Sequence, residues 1–491
     1  EVIILIPDFI YSELVGPYGP DVLQRLGKIE DYYSIYNNGA RFEVDTGGDY
    51  VPAKLPSKQI KKLVRREAQF LFGKSPEIKV ICPEETETKD GRPNESNMQT
   101  YLNKAFKSNL WRDKLIKGAR DCLIGGRVAL KVNVTEDKLS IMFVPADGFV
   151  YETALDDVDT LERIVFFYTM QDDADRSRQR IWVQKYRMEN DRCLLDERIT
   201  DGYGQTIEWD GTKQDYDTGL DRIPAYVILN DGLSGDTEGV SEIRDLMCDD
   251  AWYGRLKSGN IDSLRKGMNQ IIYMSGVDPS CTKFFRCVPG ALWDIKGDPA
   301  QASDGGAPNV QVGTISNTFS YASAFADTES TIKQDMHDLV GVPDLNQEST
   351  RNVITSGKGL KTLYWPLICR CEEKMNAWGP ALEWLAEMLL YAADVQPNLK
   401  NVYGAFEADK HVIMIDNQYP LPEDEDEEKQ LDLSEVSNKT RSIKSYLTKW
   451  GGPNSKGMTP EEADAELQQI AKEQQMMQDS FAAEPSPAGD E

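Results

Sequence analysis

The chain has 491 residues, 40% of them hydrophobic and 28% charged, enough for about two to four domains' worth of packed structure. Its 55 basic and 82 acidic residues give a formal charge of −27, which repels phosphate backbones at long range and argues against a tight general DNA binder. No apolar run approaches the roughly 18 residues of a membrane-spanning helix, and the opening "EVIILIPDFI" lacks the basic region and cleavage pattern of a signal peptide.

The spacing of apolar residues predicts a short amphipathic helix over 19–37. A second is expected from Ser57 to Phe72, where Ile60, Leu63, Val64, Ala68, Leu71 and Phe72 recur at helical intervals and Ser57 stands as N-cap. A third covers 97–124. Strand signals follow in "RVALKVNV", "LSIMFVP", "RIVFFYTM", "RIWVQKYRM", "RCLLDERI" and "AYVILN", separated by charged turns. Residues 1–235 are therefore expected to form an α+β domain.

From Val240 to Met274 there is no proline, and Ile243, Leu246, Met247, Leu256, Leu264, Met268 and Ile271 predict one long helix, about 50 Å at 1.5 Å per residue. Gly254, Gly259 and Gly267 each weaken it by roughly 1 kcal/mol, so close packing has to hold it. A compact insert rich in Gly and Pro spans 277–313. A second helix is expected over 316–340, with Tyr321, Phe325, Ile332, Met336 and Leu339 on one stripe. The polar loop 341–359 precedes a long helical segment, 360–394, interrupted by Pro366 and by Gly379-Pro380. After a strand at "KHVIMID", residues 421–491 carry 17 acids against 7 bases. The acidic run 423–428 leads to two expected helices, about 431–450 and 459–477, and to a tail whose composition predicts disorder.

Motifs with chemistry are scarce. Gly73-Lys74-Ser75 resembles the end of a phosphate-binding loop, but position 68 is Ala inside a helix, and Pro76 and a strand follow. A phosphate loop needs its first glycine and a strand-then-helix order, so Gly73 is expected to be a left-handed helix cap. "TSGKG" at 355–359 has Asn352 where the glycine belongs, and Thr355 or Ser356 is a cap for the helix that follows. The two histidines, His337 and His411, are too few for a histidine-rich metal site. The eight cysteines (Cys82, Cys122, Cys193, Cys248, Cys281, Cys287, Cys369 and Cys371) include no C-x-x-C and are expected to be reduced thiols. The paired acids Asp156-Asp157, Asp172-Asp173 and Asp249-Asp250 fit solvated turns and faces better than a two-metal site. No catalytic residue, cofactor or metal is assigned.

The order of parts is the informative feature. An α+β domain leads into a long helix, a compact insert, a returning helix, a polar loop, a kinked long helix and an acidic helical end. Four stretches, "IKKLVRREAQFLFGKSPEIKV", "LKVNV…IMFVPADGFVYET", "GVSEIRDLMCDDAWYGRLKSGNIDSL" and "DLVGVPDLNQESTRNVITSGKGLKTLYWPL", resemble the portal (head-to-tail connector) proteins of tailed bacteriophages. The resemblance implies an α+β portal-type subunit with an α/β wing, a long-helix stem, a small α/β clip insert, a kinked long helix and a helical crown. The wing would be 1–236 and 360–430, the stem helices 237–274 and 316–340, the clip 275–315, the tunnel loop 341–359, the crown 431–477, and 478–491 a disordered acidic tail.

By the same resemblance, Asn346, Gln347, Ser349, Thr350, Arg351, Asn352 and Lys358 would face DNA, and Phe284, Phe285, Trp293 and Asp294 would meet the adaptor. The implied partners are further copies in a ring, usually of twelve, double-stranded DNA, the terminase packaging motor, a head-completion or neck adaptor and the major capsid protein, with no membrane. The implied place is the portal vertex of the virion, and the host cytoplasm during assembly. The alternatives are a packaging-associated nuclease or ATPase, and a capsid or baseplate component without a DNA channel.

Overall fold

The computed structural model describes residues 19–44, 51–81, 96–171, 179–201, 205–268, 271–282, 295–301, 310–315, 319–345, 357–406, 410–421, 425–452 and 457–482. The opening segment, the acidic run up to 424 and the final nine residues of the expected tail lie outside these. The chain divides into two units, Glu1–Asp344 with Tyr364–Pro420, and Leu345–Leu363 with Leu421–Glu491.

The first unit opens with helices α1 (Gly19–Asn38) and α2 (Gln59–Phe72). The apolar stripe of α2 is buried as its spacing requires. The cap differs slightly from expectation: Lys58 holds the cap position, while the Ser57 hydroxyl accepts from the amide of Gln59 at 3.2 Å. Gly73 follows at φ −63° and ψ −36°, a right-handed conformation, so the expected left-handed cap is corrected. It needs to be glycine because a Cβ there would stand 2.2 Å from the Gln69 carbonyl oxygen. Strand β1 (Glu77–Ile81) comes next, an order of helix then strand that no phosphate loop has.

The helix expected over 97–124 is two helices, α3 (Asn97–Ser108) and α4 (Trp111–Gly125). The break falls at Leu110, whose φ of 52° is left-handed. The strands are β2 (Arg127–Val134), β3 (Leu139–Pro145), β4 (Phe149–Thr153), β5 (Leu161–Gln171), β6 (Gln179–Glu189), β7 (Arg192–Asp201), β8 (Thr206–Ile207), β9 (Tyr216–Asp217) and β10 (Ala225–Leu229). They form two antiparallel sheets, β10-β2-β3 and β4-β5-β6-β7-β8, with β9 also paired to β7. Helix α4 packs on β2 and β3, and the rings of Trp111, Phe143, Trp378 and Phe72 meet in succession, the first pair stacked, the second tilted and the last edge to face. Each such ring removes about 150–250 Å² from water, which makes this cluster a main source of the body's stability.

Between the two sheets lies Lys131, fully buried. Its ammonium donates to the Tyr168 hydroxyl at 3.1 Å and to the side-chain amide oxygen of Gln184, and stands over the rings of Phe166, Tyr168 and Tyr186.

Helix α5 (Glu242–Met268) follows, then β11 (Ile271–Ser275), the single turn α6 (Pro279–Thr282), β12 (Gln311–Ile315) and helix α7 (Ala322–Val340). The expected 35-residue helix is thus corrected to 27 residues, because Ile271–Ser275 pairs antiparallel with Gln311–Ile315 instead of continuing it. Helix α8 (Gly357–Val395) contains Pro366 and Pro380. It is followed by α9 (Asn398–Tyr403) and β13 (Val412–Asp416), which pairs antiparallel with β1.

In the second unit, α10 (Glu425–Ser437), α11 (Ile443–Trp450) and α12 (Pro460–Ala482) replace the two expected helices. Lys439, with φ 60°, turns the chain between the first two. Asp432 on α10 accepts from the Trp450 indole at 2.6 Å and pairs with Lys449 and Arg441 on or beside α11.

Candidate functional site

Two long helices and the point where they leave the α/β body form the candidate site. α5 and α7 pack on each other through a Lys257–Glu329 ion pair at 3.3 Å and a bond from the Tyr321 hydroxyl to Asn260 at 3.1 Å. The extended segment 51–57 runs along α5. Asp262 accepts from the amide of Ala53, and the Ser258 hydroxyl from that of Leu55. Near the root, Asp250 accepts from the amide of Ala40 at 3.0 Å.

Close packing accounts for two of the three glycines of α5. A Cβ on Gly254 would stand 2.8 Å from the Phe42 ring, and one on Gly267 would stand 2.2 Å from the Phe319 ring. Gly259 has nothing within 4 Å and lies exposed on the side of Trp252, whose indole is 55% exposed and carries Arg255 at 5.2 Å. Toward its end α5 also exposes Leu264 and Met268, two residues expected on a buried stripe. On α7 the expected stripe holds for Met336, but Leu339 is exposed and Val340 takes its place.

At the root of α5 a four-charge cluster joins three helices. Ser241 caps α5 through the amide of Ile243 and donates to the Ile124 carbonyl. Glu242 accepts from Arg370 at 2.6 Å and from Lys374 at 2.7 Å, both on α8. Glu67 of α2 accepts from Arg370 at 3.1 Å and faces Lys374 at 3.3 Å. Asn230, at the end of β10, takes the third bond of Lys374 at 2.7 Å and donates to Glu242 and to the Val240 carbonyl. Burial alone would push both carboxyls up. Lys374 and Arg370 overcome this for Glu242, which stays well below the usual range, whereas Glu67, facing the Glu242 charge as well, is raised. Glu67 Oε2 is buried without a hydrogen-bond partner.

These residues escaped the sequence reading, although a signal was present. Glu67 lies between Val64 and Ala68 on the apolar stripe of α2, and Arg370 and Lys374 flank Cys371 on the buried side of α8. Charge on an apolar stripe calls for a partner.

Of the residues expected to face DNA, Asn346, Gln347, Ser349, Thr350, Arg351 and Asn352 lie outside the described residues. Lys358 falls in the first turn of α8. Phe284, Phe285, Trp293 and Asp294 lie outside them too, as do the capping candidates Thr355 and Ser356. The strand pair β11–β12 brackets that insert, with Tyr273 of β11 against Gly313 of β12. At the start of the polar loop, Gly341 closes α7 in the left-handed region at φ 69°, and a Cβ there would meet the backbone of Pro366. His337 is buried and bonds the Val342 carbonyl oxygen through Nδ1 at 2.8 Å, a structural role. Cys369 is exposed and Cys371 buried, so their sulfurs diverge as a helix requires. Among the described residues no group of three or more His, Cys, Asp or Glu could hold a metal ion, and no helix is long and apolar enough to cross a membrane.

The family model described as "Phage portal protein, SPP1 Gp6-like" matches residues 20–480. No curated protein matches the chain. Solved structures that match include one titled "Neck of empty GTA particle computed with C6 symmetry", 10% identical over 83% of this chain and 89% of that one, with a TM-score of 0.44.

Proposed function

The chain belongs to the phage portal proteins of the SPP1 Gp6-like family, a structural and not an enzymatic family, and from that premise we propose that it is the subunit of a ring-shaped channel at one capsid vertex. Double-stranded DNA is packaged and ejected through this ring, which docks the terminase motor and later the neck adaptor, and is seated among major capsid proteins. The observation that carries the reading is the family match over residues 20–480.

In this reading the stem is 237–274 and 316–340, containing α5 and α7, the clip is 275–315, the tunnel loop is 341–359, whose last three residues open α8, and the crown is 431–477. A ring supplies what the single chain lacks, a cover for Trp252, Leu264 and Met268. Each copy then buries its exposed side against the next, which makes closed symmetry favourable. The acidic chain suits a conduit, since each neutralised phosphate strengthens attachment through counterion release and slows transit. In the loop, Arg351 with Asn346, Gln347, Ser349, Thr350 and Asn352, joined by Lys358 from the first turn of α8, make weak, reversible contacts with the DNA backbone. Phe284, Phe285, Trp293 and Asp294 form the adaptor contact.

Negative-stain images of purified protein are expected to show rings with a central hole. Twelve copies of 55.3 kDa would scatter light as about 0.66 MDa. A monomer alone under assembly conditions would overturn the reading. Arg351→Ala with Asn346→Ala is expected to impair DNA packaging or retention, and unchanged packaging would remove the loop contact from it.

A further inference from the structure

The four-charge cluster at the root of α5 holds two acids, Glu67 and Glu242, and two bases, Arg370 and Lys374, and its acids are unequally satisfied. Glu242 uses both oxygens, and as an acid in the first turn of α5 it also meets the positive end of the helix dipole. Glu67 uses only Oε1, and its Oε2 is sealed away without a partner. An ionised carboxylate with one oxygen unpaired in a buried site is costly, whereas its protonated form removes the charge that burial penalises.

We propose that Glu67 is a proton-operated switch at the root of α5, holding α2, α5 and α8 together when protonated and loosening them when its proton leaves. The facing groups are Glu242 from α5, Arg370, Cys371 and Lys374 from α8, Cys122 from α4, and the neutral Asn230 beyond β10. Both thiols are pushed up by burial, Cys122 to about 12, and stay neutral. Glu242 remains charged, so Glu67 is the member that titrates. A cleft of about 360 Å³ lined by Arg370, Lys374, Glu373, Asn376, Asp231 and Asp236 brings solvent to the two basic members of the cluster, the groups that Glu67 faces.

Burial and the Glu242 charge raise the Glu67 carboxyl to about 7. In the unfolded chain it ionises near 4.5, so between these values the folded state binds the extra proton. Stability from this group is complete below about pH 4.5 and is lost as pH rises to about 7.

The test compares melting of the full chain with that of Glu67→Gln, which mimics the protonated acid, at about pH 5 and about pH 8. The two are expected to melt alike at the lower pH, with the unsubstituted chain a few degrees below the variant at the higher one. Amides in the first turns of α5 should then exchange faster in the unsubstituted chain, after correction for intrinsic rates. Parallel profiles would overturn the proposal. Should Glu67→Gln not fold, infrared spectra of the unsubstituted chain with labelled glutamate carboxyls decide, setting the aspartates aside. A protonated-acid band lost between about pH 6 and pH 8 supports the switch, and its absence above about pH 6 overturns it.

Discussion

The backbone amide of Ala53 donates to both carboxylate oxygens of Asp262, at 2.9 and 3.0 Å, across 209 positions of sequence. The carboxylate side chain is only 15% exposed, so the bond is poorly screened by water. Together with the Ser258–Leu55 bond it fastens an irregular segment along α5. Asp262→Ala is expected to destabilise the folded chain by about 1.5–3 kcal/mol, the range for hydrogen bonds to charged groups, and Asp262→Asn by less, since one acceptor survives. Denaturant melts measure the loss, and early deuterium exchange at Ala53 locates it. An unchanged Ala53 amide in Asp262→Ala would refute the attachment.

Asn109 is a second long-range fastener. Its side-chain amide donates to the carbonyls of Ala105 and Leu139, and its oxygen accepts from the amide of Ile141 at 2.9 Å. It therefore closes α3 and satisfies one edge of β3 in a buried site. Asn109→Ala leaves buried backbone groups unpaired and is expected to cost about 2–4 kcal/mol, because each orphaned group costs about 1–3 kcal/mol. Leu110→Gly relieves the left-handed leucine next to it and should stabilise by about 1 kcal/mol. Equilibrium unfolding of both variants should give shifts of opposite sign.

These two sites show where sequence reading succeeds and where it stops. The strands β2, β3 and β5 to β7, and the stripe of α2, were legible because alternation and helical spacing are local consequences of burying one face. The break at Asn109-Leu110 was not, since no glycine or proline marks it and the bonds that make it reach 30 positions ahead. Helix α5 was read too long for a related reason: Ile271, Ile272 and Met274 fit either state, and their pairing with Gln311–Ile315 decides. At the candidate site, the apolar stem was visible and its charged root was not. Glu67 and Arg370 stand 303 positions apart, and spacing along a chain carries no information about such a pair.

The three glycines of α5 make a graded prediction. Gly254→Ala pushes against Phe42 and the Leu55 carbonyl, and Gly267→Ala against the Phe319 ring. Each should lower stability by about 1–3 kcal/mol, as overpacking does. Gly259→Ala meets nothing within 4 Å in one chain and should stabilise it by about 1 kcal/mol through helix propensity. In the proposed ring the same substitution tests the neighbour. If the next copy packs on Gly259, assembly weakens while the unassembled chain becomes more stable. Ring assembly and melting, measured on the same preparation, separate the two effects.

Lys131 gives a pH dependence opposite in sign to that of Glu67. Burial lowers its ammonium to about 7, with Glu197 pulling partly the other way. In the unfolded chain it titrates near 10.5, so between these values the unfolded state binds a proton that the folded state does not. Stability should therefore rise with pH from about 7 toward 10, by up to about 1.4 kcal/mol per unit. Lys131→Met fills the cage of Phe166, Tyr168 and Tyr186 without a charge and removes this slope, at the expense of the bonds to Tyr168 and Gln184. Melting profiles of the unsubstituted chain and of Lys131→Met should diverge steadily across that window. Profiles that stay parallel would mean that Lys131 keeps its proton within the fold, held there by Glu197 through Gln184.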